Sequence, residues 1–135
     1  MNEHCADELA RLPLRVLLVE DSALLVQRIS ELVNTLPFVQ LLGNVSTEAA
    51  ALERLDAGGI DAIILDLQLH TGNGFGVLKA LRKRGGPISV IVFTNFAIAA
   101  YRDSALALGA AHFLDKSRDY DQLPTVLQQL SEMAH

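Results

Sequence analysis

The stretch Ala62-Ile63-Ile64-Leu65-Asp66 decides the fold. A short apolar run that ends in a carboxylate fits a strand buried on both faces, surfacing only at its carboxyl end. Val16-Leu17-Leu18-Val19, followed by Glu20-Asp21, repeats that pattern upstream, and Ser89-Val90-Ile91-Val92-Phe93, followed by Thr94, repeats it downstream. Val39-Gln40-Leu41-Leu42 and the weaker Ala111-His112-Phe113-Leu114 complete five strand candidates. Segments of helical spacing fill the gaps. Leu25, Ile29, Leu32 and Leu36 form one apolar stripe, Phe75, Leu78 and Leu81 a second, and Leu123, Val126, Leu127 and Leu130 a third. Ala97-Ile98-Ala99-Ala100-Tyr101 reads most simply as a fourth helix packing on the sheet, with a flat Ala-rich docking face as the alternative. Pro37, Gly58-Gly59, Gly85-Gly86-Pro87 and Gly109 mark the helix ends. Five β-α alternations predict a doubly wound α/β domain, (βα)5, with a five-stranded parallel sheet in the order 2-1-3-4-5. Functional residues in such a sheet sit beyond the carboxyl ends of the strands, where the strand order reverses.

Composition narrows the function. The 135 residues carry 16 acidic and 11 basic side chains, a formal net charge of -5, and half are hydrophobic. That length and apolar content suit one folded domain and exclude disorder. Without a Lys/Arg-rich stripe, no direct nucleic-acid binding is expected. The single Cys5 excludes an internal disulfide framework and suits a reducing compartment. No run of 18 apolar residues offers a membrane span, and the polar, acidic start is unlike a signal peptide. The expectation is therefore a cytoplasmic domain over residues 14–135. Residues 1–13 read as a leader holding at most a helical turn.

The strand ends carry the chemistry. Glu20 and Asp21, Asp66, Thr94 and Lys116 follow four strands and so converge on one rim. Two carboxylates about 4 Å apart repel by about 4 kcal/mol at an effective dielectric near 20, so such a cluster wants protons or a cation. All-oxygen ligands suit Mg²⁺ or Mn²⁺ rather than zinc. A carboxylate beside a divalent cation and a lysine can attack phosphorus, while cation and ammonium neutralise the transferring oxygens. There is no nucleotide-cradling glycine loop, which leaves another protein or a small molecule as the phosphoryl donor.

The ordered set VEDS at 19–22, ILDLQL at 64–69, GNG at 72–74, FTN at 93–95 and FLDK at 113–116 resembles the receiver domains of two-component response regulators, across about residues 14–133. The resemblance implies a flavodoxin-like fold and assigns roles residue by residue. Asp66 becomes the phosphoacceptor, taking its phosphoryl group from a histidine kinase or phosphotransfer protein. Asp21 and Asp66 ligate Mg²⁺, with Glu20 acting through water and Gln68 through its backbone carbonyl. Lys116 pairs with Asp66 or the phosphoryl group, Thr94 turns toward a phosphoryl oxygen, and Phe113 is the switch aromatic that turns inward with it. The implied partners are that donor and an unidentified protein target, with a homodimer through helix 4, strand 5 and helix 5 left open. Self-phosphorylation from small donors and slow autodephosphorylation are the most enzymatic activity implied. Two departures stand out. Ser117 follows Lys116 where the family carries a cis proline, and a cis bond before a non-proline residue costs about 2.5–4 kcal/mol. His70 stands four residues after Asp66, where the family often has proline, and Gln68 and Asn95 occupy positions suited to tuning water access.

Each residue also has a plainer reading. Asp66 could cap the next turn, Glu20-Asp21 or Ser22 could cap helix 1, Lys116 could be a solvated surface lysine, and Phe113 a core residue. His70 reads as a solvent-facing loop residue, and His4, His112 and His135 show no ligand spacing. Among whole functions, a stand-alone receiver acting by protein contact competes with a receiver cut from a longer chain. It also competes with a non-phosphorylated pseudo-receiver that only docks, and with an Asp-nucleophile phosphohydrolase. The last wants a second acid two residues after its nucleophile, where Gln68 stands.

Overall fold

The structure, a computed structural model, describes residues 12–133. Nearly all of the expected leader, with His4 and Cys5, and His135 at the other end lie outside the described residues. Five strands alternate with five helices: β1 (Leu14–Val19), α1 (Ala23–Asn34), β2 (Val39–Val45), α2 (Glu48–Ala57), β3 (Ala62–Leu65), α3 (Gly74–Arg84), β4 (Ser89–Thr94), α4 (Ala99–Ala107), β5 (His112–Asp115) and α5 (Leu123–Met133). A 3₁₀ turn, Tyr120–Gln122, leads into α5. The sheet is parallel throughout and ordered β2-β1-β3-β4-β5, as expected.

Strand periodicity sorts the core into two layers. Val16 and Leu18 of β1, Ala62 and Ile64 of β3, and Ile91 and Phe93 of β4 pack with Ile29 and Val33 of α1 and with Leu123, Val126, Leu127 and Leu130 of α5. The intervening residues Leu17, Val19, Ile63, Leu65, Val90 and Val92 pack with Ala51 and Leu55 of α2, Val77 and Leu78 of α3, and Ala105 of α4. The chain therefore leaves β1 toward β2 on one side and passes from β3 to β5 on the other. The reversal opens a crevice at the carboxyl ends of β1 and β3.

Several expected boundaries shift. α1 stops at Asn34, capped by Thr35, whose N–H and hydroxyl both donate to Leu32 O, so Leu36 joins the core from beyond the helix and Pro37 only follows it. α4 begins at Ala99, leaving Ala97 outside the helix and Ile98 exposed as its N-cap. That helix ends at Ala107, and Gly109, at φ +102°, follows Leu108 in the turn out of it. The fully buried α3 side chains are Val77 and Leu78, with Phe75 and Leu81 flanking them. β5 runs one residue later than expected because Thr94 pairs with Asp115, extending the ladder to the residue before Lys116.

Candidate functional site

Three charged residues of the rim, Glu20, Asp66 and Lys116, are each fastened by one extra rung beyond their own strands. Glu20 N–H donates to Val45 O of β2, Asp66 N–H to Val19 O of β1, and Lys116 N–H to Thr94 O of β4, each at 3.0 Å. The side chains leave the sheet from a backbone already fixed by the neighbouring strand, and they meet. Lys116 Nζ lies 2.7 Å from Glu20 Oε1 and 2.9 Å from Asp66 Oδ2. Carboxylate oxygens of Glu20, Asp21 and Asp66 all lie within 4.8 Å of one another. Together with Ser22, Leu25, Gln68, Asn95 and Phe96, these four residues line a cavity of about 210 Å³.

The remaining hydrogen bonds orient the cluster. Glu20 Oε2 accepts from Ser22 N–H at 3.0 Å, and Asp66 Oδ1 accepts from Gln68 N–H at 3.1 Å. Asp66 therefore organises its own loop, as the plainer reading had it, and also faces the lysine. Ser22, not Glu20 or Asp21, caps α1, accepting from Leu25 N–H. Asp21 Oδ2 accepts from His70 N–H at 2.6 Å, tying the β3–α3 loop to the β1–α1 loop. The His70 ring stays in solvent, so the expectation of a solvent-facing histidine describes its side chain but not its backbone. Gly74 lets this loop close over the site. A Cβ there would strike Asp66 O and stand 2.9 Å from Leu67 Cα. Thr94 is buried, and its Oγ1 accepts from Phe96 N–H at 3.2 Å. Phe113 lies half-buried on the α2–α4 side of the sheet rather than in the cavity.

Electrostatically the site is short of positive charge. At 4.8 Å and an effective dielectric near 20, two carboxylates repel by about 3.5 kcal/mol, and one ammonium answers three of them. Burial pushes the Glu20 carboxyl above its ordinary value, opposed chiefly by the hydrogen bond from Lys116. The donor set is all oxygen, gathered within 4.8 Å, and Mg²⁺ is commonly held by one or two carboxylates with water in the rest of its shell. The residues present therefore fit a hard divalent cation.

The loop after Lys116 departs from the expectation built on proline. No peptide bond among the described residues is cis, Lys116–Ser117 included. A carboxylate turn takes its place: Asp115 Oδ1 accepts from Ser117 N–H at 2.8 Å and from Ser117 Oγ at 2.7 Å. The spacing Asp-x-Ser in Asp115-Lys116-Ser117 is the available sequence signal, since short polar side chains often bond to backbone two residues on. Phe96, from the β4–α4 loop, and Leu25, from the first turn of α1, form the cavity's apolar wall and had no comparable signal, because only the packing of those two segments brings them there.

Residues 16–128 match the family model described as the response regulator receiver domain. Over 124 residues the chain is 32% identical to a protein-glutamate methylesterase/protein-glutamine glutaminase of Treponema denticola, covering 89% of this chain and 33% of that protein. The chain spans about a third of the length of the curated relatives it matches. Among solved structures, the response regulator domain of Thermotoga maritima CheB superposes with a TM-score of 0.77 at 26% identity, covering 90% of this chain and 96% of that one. The signal receiver domain of the response regulator NarL from Mycobacterium tuberculosis gives a TM-score of 0.82 at 25% identity, covering 90% and 98%.

Proposed function

The chain belongs to the response regulator receiver family, and from that premise we propose that it is a phosphoryl-accepting switch with Asp66 as its acceptor. The observation that carries this reading is the meeting of three carboxylates with the Lys116 ammonium in one cavity at the carboxyl ends of the strands. A carboxylate oxygen of Asp66 attacks the phosphorus of a phosphohistidine on a kinase or phosphotransfer protein. The O–P bond forms as the P–N bond breaks, and the electron pair returns to the imidazole nitrogen. Lys116, 2.9 Å from Asp66, holds positive charge beside the developing acyl phosphate. Glu20 keeps Lys116 on that side of the cavity. Asp21, Asp66 and the Gln68 carbonyl would hold Mg²⁺ or Mn²⁺, with Glu20 reached through water. When bound, that cation supplies charge neutralisation on the phosphoryl oxygens.

The output is a change of surface. If Thr94 Oγ1 turns to donate to a phosphoryl oxygen, it gives up its bond from Phe96 N–H and loosens the β4–α4 loop. Phe113, half-buried on β5 opposite Val92 of β4, is the side chain we assign to follow it inward. The altered α4–β5–α5 face would then meet a protein target. We assign residues 14–135 to the receiver unit and no esterase chemistry to it. The methylesterase/glutaminase activity in the relatives' names belongs to proteins three times its length. Among the described residues no helix is long and apolar enough to cross a membrane, and we take the site of action to be the cytoplasm.

Acetyl phosphate with and without Mg²⁺, read by intact mass and Phos-tag gels, tests the assignment. Wild type gains one phosphoryl group only with the divalent cation, and Asp66→Asn gains none. Equal labelling of Asp66→Asn, or no Mg²⁺-dependent labelling of wild type, would refute it.

A further inference from the structure

We infer that Asp115, seconded by Asp119, is a positioning residue for Lys116: a carboxylate-locked turn sets the direction in which the lysine leaves β5. The inference rests on the reading of Asp66 and Lys116 as a phosphoryl site and adds the part of the chain that aims the ammonium.

The problem this turn solves is mechanical. Lys116 must hold one nitrogen within 3 Å of two carboxylates on two other strands, through a stem of four methylenes. A flexible stem keeps that aim only if its Cα–Cβ bond is fixed. β5 is a poor anchor. It is four residues long, lies at the sheet edge and pairs only with β4. Beyond the strand a single rung, Lys116 N–H to Thr94 O, holds the lysine backbone to the sheet.

The turn supplies the missing fixture on both sides of Lys116. Downstream, Asp115 Oδ1 accepts from both Ser117 N–H and Ser117 Oγ, bridging over the lysine. Upstream, Asp115 N–H donates to Asp119 Oδ2 at 2.9 Å. Asp115 O accepts from Asp119 N–H at 2.8 Å and from Arg118 N–H at 3.3 Å. The N–H, C=O and carboxylate of Asp115 are thus all engaged within five residues, and Lys116 sits inside the loop they close. The two donors of Ser117 also hold the Asp115 carboxyl below its ordinary value, so it stays an acceptor.

The lock is itself bolted down. Asp119 Oδ1 accepts from Gln122 Nε2 at 3.0 Å, which joins it to the 3₁₀ turn. In that turn Tyr120 Oη donates to Arg28 O of α1 at 3.0 Å, and its ring lies 6.1 Å from that of Phe93 on β4. The lysine's root is therefore referenced to α1, the helix entered directly from Glu20–Asp21, and to β4, which carries Thr94. The bonds of Ser117 to Asp115 lie at the surface, so losing them spoils the lysine's aim more than it weakens the fold.

The test uses the full chain as wild type, Asp115→Ala, Asp115→Asn and Asp119→Ala. Four quantities are read: the initial rate of Asp66 labelling by acetyl phosphate, the Mg²⁺ Kd, the thermal midpoint, and the ¹³Cε/¹⁵Nζ NMR signals of Lys116. Asp115→Ala should slow labelling about tenfold, with the Mg²⁺ Kd changed less than twofold. It should also move the Lys116 signals toward those of a solvated lysine. Asp115→Asn should stay within about twofold of wild type, because its amide oxygen still accepts from Ser117, and Asp119→Ala should fall between. Asp115→Ala within twofold of wild type, Asp115→Asn falling as far as Asp115→Ala, or unmoved Lys116 signals would each overturn the inference. If wild type takes no phosphoryl group, the acceptor reading fails by itself, and the NMR signals still decide whether Asp115 aims the lysine.

Discussion

Replacing Lys116 with methionine tests the electrostatic account directly, because it keeps the stem and removes the charge. The side chains of Lys116 and Glu20 are 6% and 2% exposed, so solvent screens the pair little. At an effective dielectric near 20, contacts of 2.7 and 2.9 Å are worth about 6 kcal/mol each before desolvation is counted. Burying the partners offsets most of that, and removing one member of a buried pair typically costs about 3–5 kcal/mol. We expect Lys116→Met to lose about that much in urea unfolding at pH 7.5 without divalent cations. The pH dependence has a definite sign. Burial already places the Glu20 carboxyl above its unfolded value, and losing Lys116 removes the main influence pulling it down. A carboxyl whose folded value is raised binds its proton more tightly in the folded state. Its ionisation therefore costs stability as pH rises through the folded value, and that cost disappears as pH falls back toward the unfolded value near 4.3. The gap between wild type and variant should narrow between pH 7.5 and pH 5. It should narrow again when Glu20→Gln is added, or when millimolar Mg²⁺ is present. A gap below about 1 kcal/mol, or one unchanged by both pH and Glu20→Gln, would refute the reasoning.

Two further changes separate the parts of the site. Gly74→Ala drives a methyl group into the backbone at Asp66 and Leu67, so it should cost about 1–3 kcal/mol by thermal unfolding and lower the rate of Asp66 labelling as well. Thr94→Val keeps the shape but leaves Phe96 N–H without its acceptor, which should cost about 1–3 kcal/mol. Asp66 should still be labelled in that variant, while phosphorylation no longer shifts the NMR signals of the β4–α4 loop.

What the sequence disclosed, and what it withheld, follows from how each feature is encoded. β1, β3 and β4 were legible because a strand covered on both faces is a continuous apolar run through its buried part, and the carboxylates that follow two of them mark where the strand gives way to the site. The gathering of Glu20, Asp21, Asp66 and Lys116 was legible because parallel strands deliver all their carboxyl ends to one rim. The boundaries of α1 and α4 were not. Leu36 keeps the helical spacing of Leu25, Ile29 and Leu32, yet it reaches the core from a turn, because a buried side chain leaves the same pattern whether or not its backbone is helical. The second attachment of Asp21, to a backbone N–H of the β3–α3 loop, was invisible for a related reason. Any residue could supply that donor, so no residue type announces it.

Ser117 shows how the root of the lysine can be held without a proline ring. A proline after the lysine would fix the chain through its ring. Here Ser117 supplies an N–H and a hydroxyl, and Asp115 accepts both. The two solutions differ in what can undo them. A ring constraint is indifferent to solution conditions, whereas an Asp–Ser turn depends on its acceptor oxygen and on water not competing for its donors. The bonds of Ser117 to Asp115 lie at the surface, so that part of the turn can open without disturbing the two buried layers on either face of the sheet. The lysine is thus held by the most solvent-dependent part of the site, while Glu20 and Asp66 grow directly from buried central strands. A partner that covered the β5–α5 loop would exclude that water and tighten the turn, strengthening the hold on Lys116.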